Sequence, residues 1–177
     1  MGNILTFNSD FLDQDRNFKR LQIYCMVNVL ILGLIYGCSA ALFSNSLLAE
    51  KGLLSQGFNP VKIIVAGVPV AFFMHAGAAL FIWVFLKAMG GKSDFITAYF
   101  YIGLASVSLW ALAPFIAALQ IGAASALLKG LALALSLYAL GVIISVVRTA
   151  FRMSGLRMTF ATLVTLIYIS CFLYLWT

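Results

Sequence analysis

The chain has few charges and very few acidic residues. Of its 177 residues, five are Asp or Glu and one is His, and 9% are charged, against about 25% in an ordinary soluble domain. The carboxylates lie outside the long apolar runs: Asp10, Asp13, Asp15, Glu50 and Asp94. No Ser-His-Asp set, phosphate-binding glycine loop, metal motif or paired carboxylate is present. We therefore expect no enzymatic activity and no cofactor.

The cysteines are equally few and form no framework. Cys25 and Cys38 fall on one predicted helix, about 20 Å apart at 1.5 Å per residue, so they cannot bond to each other. Cys171 falls in another predicted span. We expect all three to fill apolar space, with acylation of Cys25 near the membrane boundary as the alternative.

Apolar sequence is abundant, at 64% hydrophobic residues. Five runs, at about 23–44, 63–86, 95–119, 126–147 and 158–176, each approach the ~20 residues that cross the ~30 Å hydrocarbon layer. Backbone in lipid must satisfy its own hydrogen bonds, so each run should be helical. The sequence predicts an all-α protein: a polytopic transmembrane bundle of five helices over residues 23–177, with its longest loop at 45–60.

Residues 1–22 form a separate cytoplasmic segment with an amphipathic pattern. Ile4, Phe7, Phe11 and Phe18 approximate one helical face, and charged residues occupy the remainder. This pattern is typical of a short helix lying on the membrane surface. The alternative is a mobile tail with scattered aromatic side chains.

The net charge of +6 does not indicate nucleic acid, because the basic residues form no run. Eight of them fall in three segments that alternate with the spans, and three fall on the other side. This bias predicts a cytoplasmic N-terminus and an outside C-terminus. Among the eight, Arg148, Arg152 and Arg157 surround the last turn, where they would contact anionic lipid or, alternatively, an acidic protein partner.

Three polar residues within the spans are candidates for an intramembrane site: His75, Asn28 and Gln120. An ionisable residue at such depth suggests a proton relay or a ligand contact. The simpler interpretation is a neutral imidazole, and two amides, that hydrogen-bond to neighbouring helices. Pro69 and Pro114 should each kink a span.

Small residues recur at helix-packing intervals in two spans. The first stripe consists of Gly33, Gly37 and Ala41, and the second of Gly130, Ala134, Tyr138 and Gly141. Such stripes allow helix backbones to approach closely in lipid. We expect packing within the chain, with homodimerisation as the alternative.

The arrangement resembles the Yip membrane family, whose eukaryotic members interact with Rab GTPases. The resemblance is carried by Gly90-Gly91-Lys92-Ser93-Asp94-Phe95-Ile96-Thr97-Ala98, by Pro114, and by the basic turn from Val147-Arg148 to Gly155-Leu156-Arg157. The acidic-Leu-Tyr-Gly-Pro type motif of eukaryotic members is missing before the first span. The resemblance therefore implies a short prokaryotic member in a bacterial inner membrane, with an ER or Golgi membrane as the alternative.

These observations lead to one functional hypothesis and one rival. The first is a non-enzymatic integral membrane protein that organises membrane lipids or protein partners, with a homo-oligomer or another membrane protein as possible partners. A small GTPase would be a partner only for a eukaryotic trafficking member. The rival is a small transporter or lipid-translocating protein with a pathway near His75, Pro69 and Pro114.

Overall fold

The computed structural model describes the backbone of residues 18–52, 58–122 and 125–174. It describes their side chains too, except those of Phe18 and of residues 162, 165, 166 and 168–174. Within these ranges the chain forms helices and contains no strand. The elements in order are α1 (Phe18–Glu50), α2 (Pro60–Ala88), α3 (Phe95–Ala105), a 3₁₀ helix (Ser106–Leu109), α4 (Ala113–Gln120), α5 (Ala126–Phe151) and α6 (Gly155–Tyr174).

The length and exposure of these helices show a membrane-embedded protein. Helices α1, α2 and α5 are each long and apolar enough to cross a bilayer. Their outer surfaces carry large apolar side chains, and Phe73 on α2 is 79% exposed. A water-soluble protein rarely exposes continuous apolar surface of this kind, whereas hydrocarbon solvates it.

The number of spans shown is three or four rather than a clear five. The fourth is the bent unit formed by α3, the 3₁₀ helix and α4. The predicted fifth run is helical as α6, but α6 is not among the helices that meet the same criterion of length and apolarity. The all-α prediction is confirmed, and the fifth span stays a prediction.

The first helix extends beyond its predicted run at both ends. It begins at Phe18, so residues 18–22 continue into the span, and the rest of the predicted amphipathic segment lies outside the described residues. It ends at Glu50, so residues 45–50 of the predicted 45–60 loop are helical. A helix need not stop where its sequence becomes polar at the membrane edge, so the boundaries of the span itself stay a prediction.

Three helices begin at side-chain caps. Asn59, Asp94 and Ser125 each accept a hydrogen bond from the backbone N–H three residues later. Such caps satisfy one of the free amides of a first turn. At Asp94 the hydrogen bond from Thr97 holds the pKa of the carboxyl below its usual value.

Helices α1 and α2 pack antiparallel through glycines. A β-carbon added to Gly67 of α2 would lie 2.6 Å from the carbonyl oxygen of Gly33 and 2.8 Å from the Cα of Gly37. One added to Gly37 would lie 2.7 Å from the carbonyl oxygen of Ile64. The two backbones therefore touch, as the first small-residue stripe predicts, and Ala41 is buried on the same helix.

The third predicted run is broken rather than merely kinked. Helix α3 tightens into the 3₁₀ helix, and the chain turns by 75° before α4. Pro114 has no N–H to donate and sits in the first turn of α4, where proline is tolerated. The hydroxyls of Ser106 and Ser108 donate to the carbonyls of Gly103 and Ala105, a bond pattern that competes with regular helix.

Candidate intramembrane cavity

A cavity of about 400 Å³ lies between α2 and the bent unit. Its walls come from α1, α2, α3, α4 and the 3₁₀ helix, with Ile143 contributed by α5. The break in the third run creates this space, because α4 turns away from the line of α3 and so leaves α2 without a neighbour there. Most of the lining side chains are aliphatic.

The cavity runs from a buried end to an exposed end. His75 and Ser106 line it and are 7% and 2% exposed. Val70, Met74 and Gln120 also line it and are exposed. Because Val70 and Met74 lie on the middle of a spanning helix, this edge faces the hydrocarbon layer rather than bulk water.

A polar pair marks the exposed end. The Tyr36 hydroxyl on α1 donates a 2.6 Å hydrogen bond to Gln120 Oε1 at the end of α4. Both residues line the cavity. This contact joins α1 to α4, and it leaves the Gln120 amide N–H₂ able to donate toward a ligand.

His75 forms the polar part of the buried end. Its Nε2 lies 3.8 Å from the Sγ of Cys25, and its ring packs against Tyr99 with centroids 4.3 Å apart. Cys25 is fully buried and also lies 3.9 Å from the Tyr99 carbonyl oxygen. The neighbouring-helix contact expected for His75 is thus present, with α1 and α3 as the neighbours.

Asn28 lies beside the break and does not line the cavity. Its Nδ2 donates to the carbonyl oxygens of Gly103 and Leu104, at 3.4 and 3.2 Å. Trp110 on the far side of the 3₁₀ helix donates from Nε1 to the Asn28 backbone carbonyl at 3.2 Å. A single residue of α1 therefore contacts both ends of the 3₁₀ helix.

The three predicted polar residues do not all lie at one site, and neither do the residues of the predicted transport pathway. His75 and Gln120 share the cavity, whereas Asn28 supports its wall from outside. Pro69 lines a different, more open apolar recess with Phe72 and Tyr99. Pro114 shapes the cavity only through the start of α4, where its neighbour Ala113 is a lining residue.

The second small-residue stripe lies mostly on the exposed side of α5. Nothing described lies within 4 Å of a β-carbon placed on Gly130, and Ala134 and Tyr138 are exposed. Helix α5 instead buries Ala132, Ala139 and Val142. The intramolecular packing expected at Gly130, Ala134 and Gly141 stays a prediction; Gly141 is partly buried.

The three arginines lie exposed at one end of the bundle. The Arg148 guanidinium lies 3.7 Å from a β-carbon placed on Gly155, and Arg157 Nη1 lies 4.0 Å from one on Gly90. Arg152 ends α5 in the left-handed conformation, with φ of 49°. Arg148 and Arg157 thus flank the start of α6, and their lipid or protein contacts stay a prediction.

Sequence reasoning missed Tyr36 and Ser106, and missed Cys25 as the neighbour of His75. Hydroxyl residues are common in spans, so composition alone does not distinguish those that face a cavity. The pair Ser106 and Ser108, placed between Gly103 and Pro114, was the available signal for a break. No described group of three or more metal-binding side chains is present, and the cavity has the character of a binding site for an apolar molecule.

No family model, curated protein or solved structure matches the chain. The resemblance of residues 90–98 and 147–157 to the Yip family accordingly stays a prediction.

Proposed function

We propose that this is a non-enzymatic integral membrane protein that binds membrane lipid, with an acyl chain entering the cavity between α2 and α4. The observation that carries this proposal is the cavity itself. It measures about 400 Å³, within the ~300–1,000 Å³ of typical ligand pockets, and it opens beside Val70 and Met74 on a lipid-facing helix.

The residues that line the cavity suit an acyl chain that carries one polar group. Aliphatic side chains such as Leu32, Ile102 and Ile116 offer dispersion contacts along the length of the cavity. Polar atoms are concentrated at the two ends, at His75 with Ser106 and at Tyr36 with Gln120. An ester or hydroxyl group placed at the Gln120 end would accept from the free amide N–H₂ while its chain extends inward.

Photolabelling tests this proposal directly. Purified protein is reconstituted with a phosphatidylcholine that carries a diazirine on its acyl chain, irradiated, and digested for mass spectrometry. We expect adducts on cavity residues, including Ile102 and Ile116. Ala78→Phe should reduce those adducts to background, because its ring fills space that Ala78 leaves open in the wall.

The matched control is Ala66→Phe on the same helix. Ala66 is exposed and does not line the cavity, so its aromatic ring should project into lipid and leave cavity labelling unchanged. Labelling confined to outward-facing residues such as Leu133 and Phe160, with none in the cavity, would refute lipid binding there.

We also propose five spans, with the N-terminus in the cytoplasm of a bacterial cell and the C-terminus outside. The 20 residues of α6 give about 30 Å of helix at 1.5 Å per residue, and the basic residues at one end of the bundle follow the positive-inside rule. Reporter tags on the two termini should become accessible from opposite sides of the membrane. Tags that report the same side would exclude an odd number of spans.

Lipid translocation is the second candidate, favoured by the interrupted third run beside the cavity. Discontinuous spans line the substrate sites of many transporters. Proteoliposomes with fluorescent lipid in both leaflets distinguish the two functions: a binding protein leaves the inner-leaflet lipid protected from an impermeant quencher, whereas a translocating protein exposes it. Loss of such exposure in His75→Ala would place His75 in the pathway.

A further inference from the structure

The single histidine of the chain meets one of its three cysteines inside the bundle. Cys25 Sγ and His75 Nε2 lie 3.8 Å apart, although the residues come from different helices and are 50 positions apart. Both side chains are buried, at 0% and 7% exposed. Thiolate and imidazole are the ligands that soft, monovalent copper prefers among protein groups.

The absence of a side chain at Gly103 allows these two atoms to approach each other. Gly103 of α3 faces both, since a β-carbon placed there would collide with Cys25 Sγ and lie 3.1 Å from His75 Nε2. The carbonyl oxygen of Tyr99, one turn earlier on α3, lies 3.9 Å from Cys25 Sγ. Sulfur, nitrogen and oxygen atoms from three helices therefore converge beside Gly103.

The separation suits one bridging ion. With the bond lengths of zinc as a guide, about 2.3 Å to sulfur and 2.0 Å to nitrogen, a linear bridge spans about 4.3 Å and a tetrahedral one about 3.5 Å. The observed 3.8 Å lies between these limits. A linear two-ligand bridge would therefore move the two atoms apart by about 0.5 Å.

The net charge of the ligand pair favours a monovalent ion. Binding of Cu(I) replaces the thiol proton, which is released to solvent, so one positive ion joins one thiolate and one neutral imidazole. The resulting unit is electrically neutral. Zn²⁺ in the same pair would retain a positive charge far from any described carboxylate, since Glu50 and Asp94 lie at helix ends, and unpaired charge is strongly disfavoured in such a medium.

We propose that Cys25 and His75 form an intramembrane site for Cu(I). The site has two side-chain ligands, one from α1 and one from α2. The ion reaches it through the cavity that His75 lines. The site shares His75 and its entry route with the proposed lipid site, whereas Cys25 is not among the cavity-lining residues. Failure of either proposal is detected separately, by Cu(I) titration for the metal and by photolabelling for the lipid.

The test uses the full chain in detergent, in a Cys38→Ser/Cys171→Ser background, so that Cys25 is its only thiol. Anaerobic Cu(I) is titrated in competition with a chromogenic chelator. We expect one Cu(I) per chain, and X-ray absorption should show one sulfur and one nitrogen neighbour. Cys25→Ser and His75→Leu should each weaken binding by at least about 100-fold, since losing even an outer-shell partner costs about 10–100-fold.

Two results would overturn the site. The first is failure of the background protein to take up Cu(I), and the second is unchanged affinity in Cys25→Ser. The thermal transition of each variant shows whether it is folded. If either variant is unfolded, Cys25→Met replaces it in the titration. Because the Met thioether is a soft but weaker sulfur ligand than a thiolate, this variant should bind Cu(I) with intermediate affinity. Wild-type affinity in the Met variant would also count against a thiolate ligand.

Discussion

Gly67→Leu is expected to destabilise the protein by about 3 kcal/mol, near the upper end of the ~1–3 kcal/mol typical of overpacking. The obstructing atoms are the Gly33 carbonyl oxygen and the Gly37 Cα, at 2.6 and 2.8 Å from the new β-carbon. Because both belong to backbone, no side-chain rotation relieves the collision, and α1 and α2 must separate. The free energy of unfolding, measured by denaturant titration in mixed micelles, checks the effect.

Gly77→Leu is the matched control on the same helix. Nothing described lies within 4 Å of a β-carbon at Gly77, so leucine there should preserve or slightly raise stability through its better helix propensity. Equal unfolding free energies for Gly67→Leu and Gly77→Leu would show that the close glycine crossing is absent from the protein in the membrane.

Asn28→Asp is expected to have a comparable or larger effect, about 3–5 kcal/mol, the usual cost of an uncompensated buried charge. The substitution preserves shape but replaces the donor amide that bonds the Gly103 and Leu104 carbonyls. A carboxylate at this fully buried position would face two acceptors and repel them. Unfolding free energy at neutral pH measures the loss, and faster amide hydrogen exchange should follow at residues 106–112.

Asn45→Asp, at an exposed position of α1, introduces the same chemical change without burial. It should cost well under about 1 kcal/mol, the scale of an acidic group near a helix C-terminus. If the two aspartate variants unfolded alike, the amide of Asn28 would not hold the bend of the third run.

The all-α class could be predicted from the sequence because the surrounding hydrocarbon determines which secondary structure is stable. Hydrocarbon offers no hydrogen bonds, so an apolar run such as 63–86 has one way to satisfy its backbone. The close contact between α1 and α2 was predictable only in part. Gly33 and Gly37 formed a stripe in the sequence, but nothing identified Gly67 as their partner. Pairing depends on which helices become neighbours, and that is a property of the whole bundle.

The cavity was not predictable for a related reason. Pro114 indicated a bend in the third run. A bend of 75° with a 3₁₀ segment depends also on Ser106, Ser108 and the hydrogen bonds of Asn28. The outward position of Gly130 likewise depends on the rotation of α5 about its axis. Local spacing is the same for a buried stripe and a lipid-facing one, so periodicity could not separate them.

The turned α4 has a consequence for the thickness of the surrounding bilayer. Helix α3 and the 3₁₀ helix together rise about 24 Å. Helix α4, inclined at 75° to them, adds only about 3 Å along that direction. This side of the bundle is therefore several ångströms shorter than the ~30 Å hydrocarbon layer. Lipids beside α4 must shorten to match it, which favours short or disordered chains there over long saturated ones.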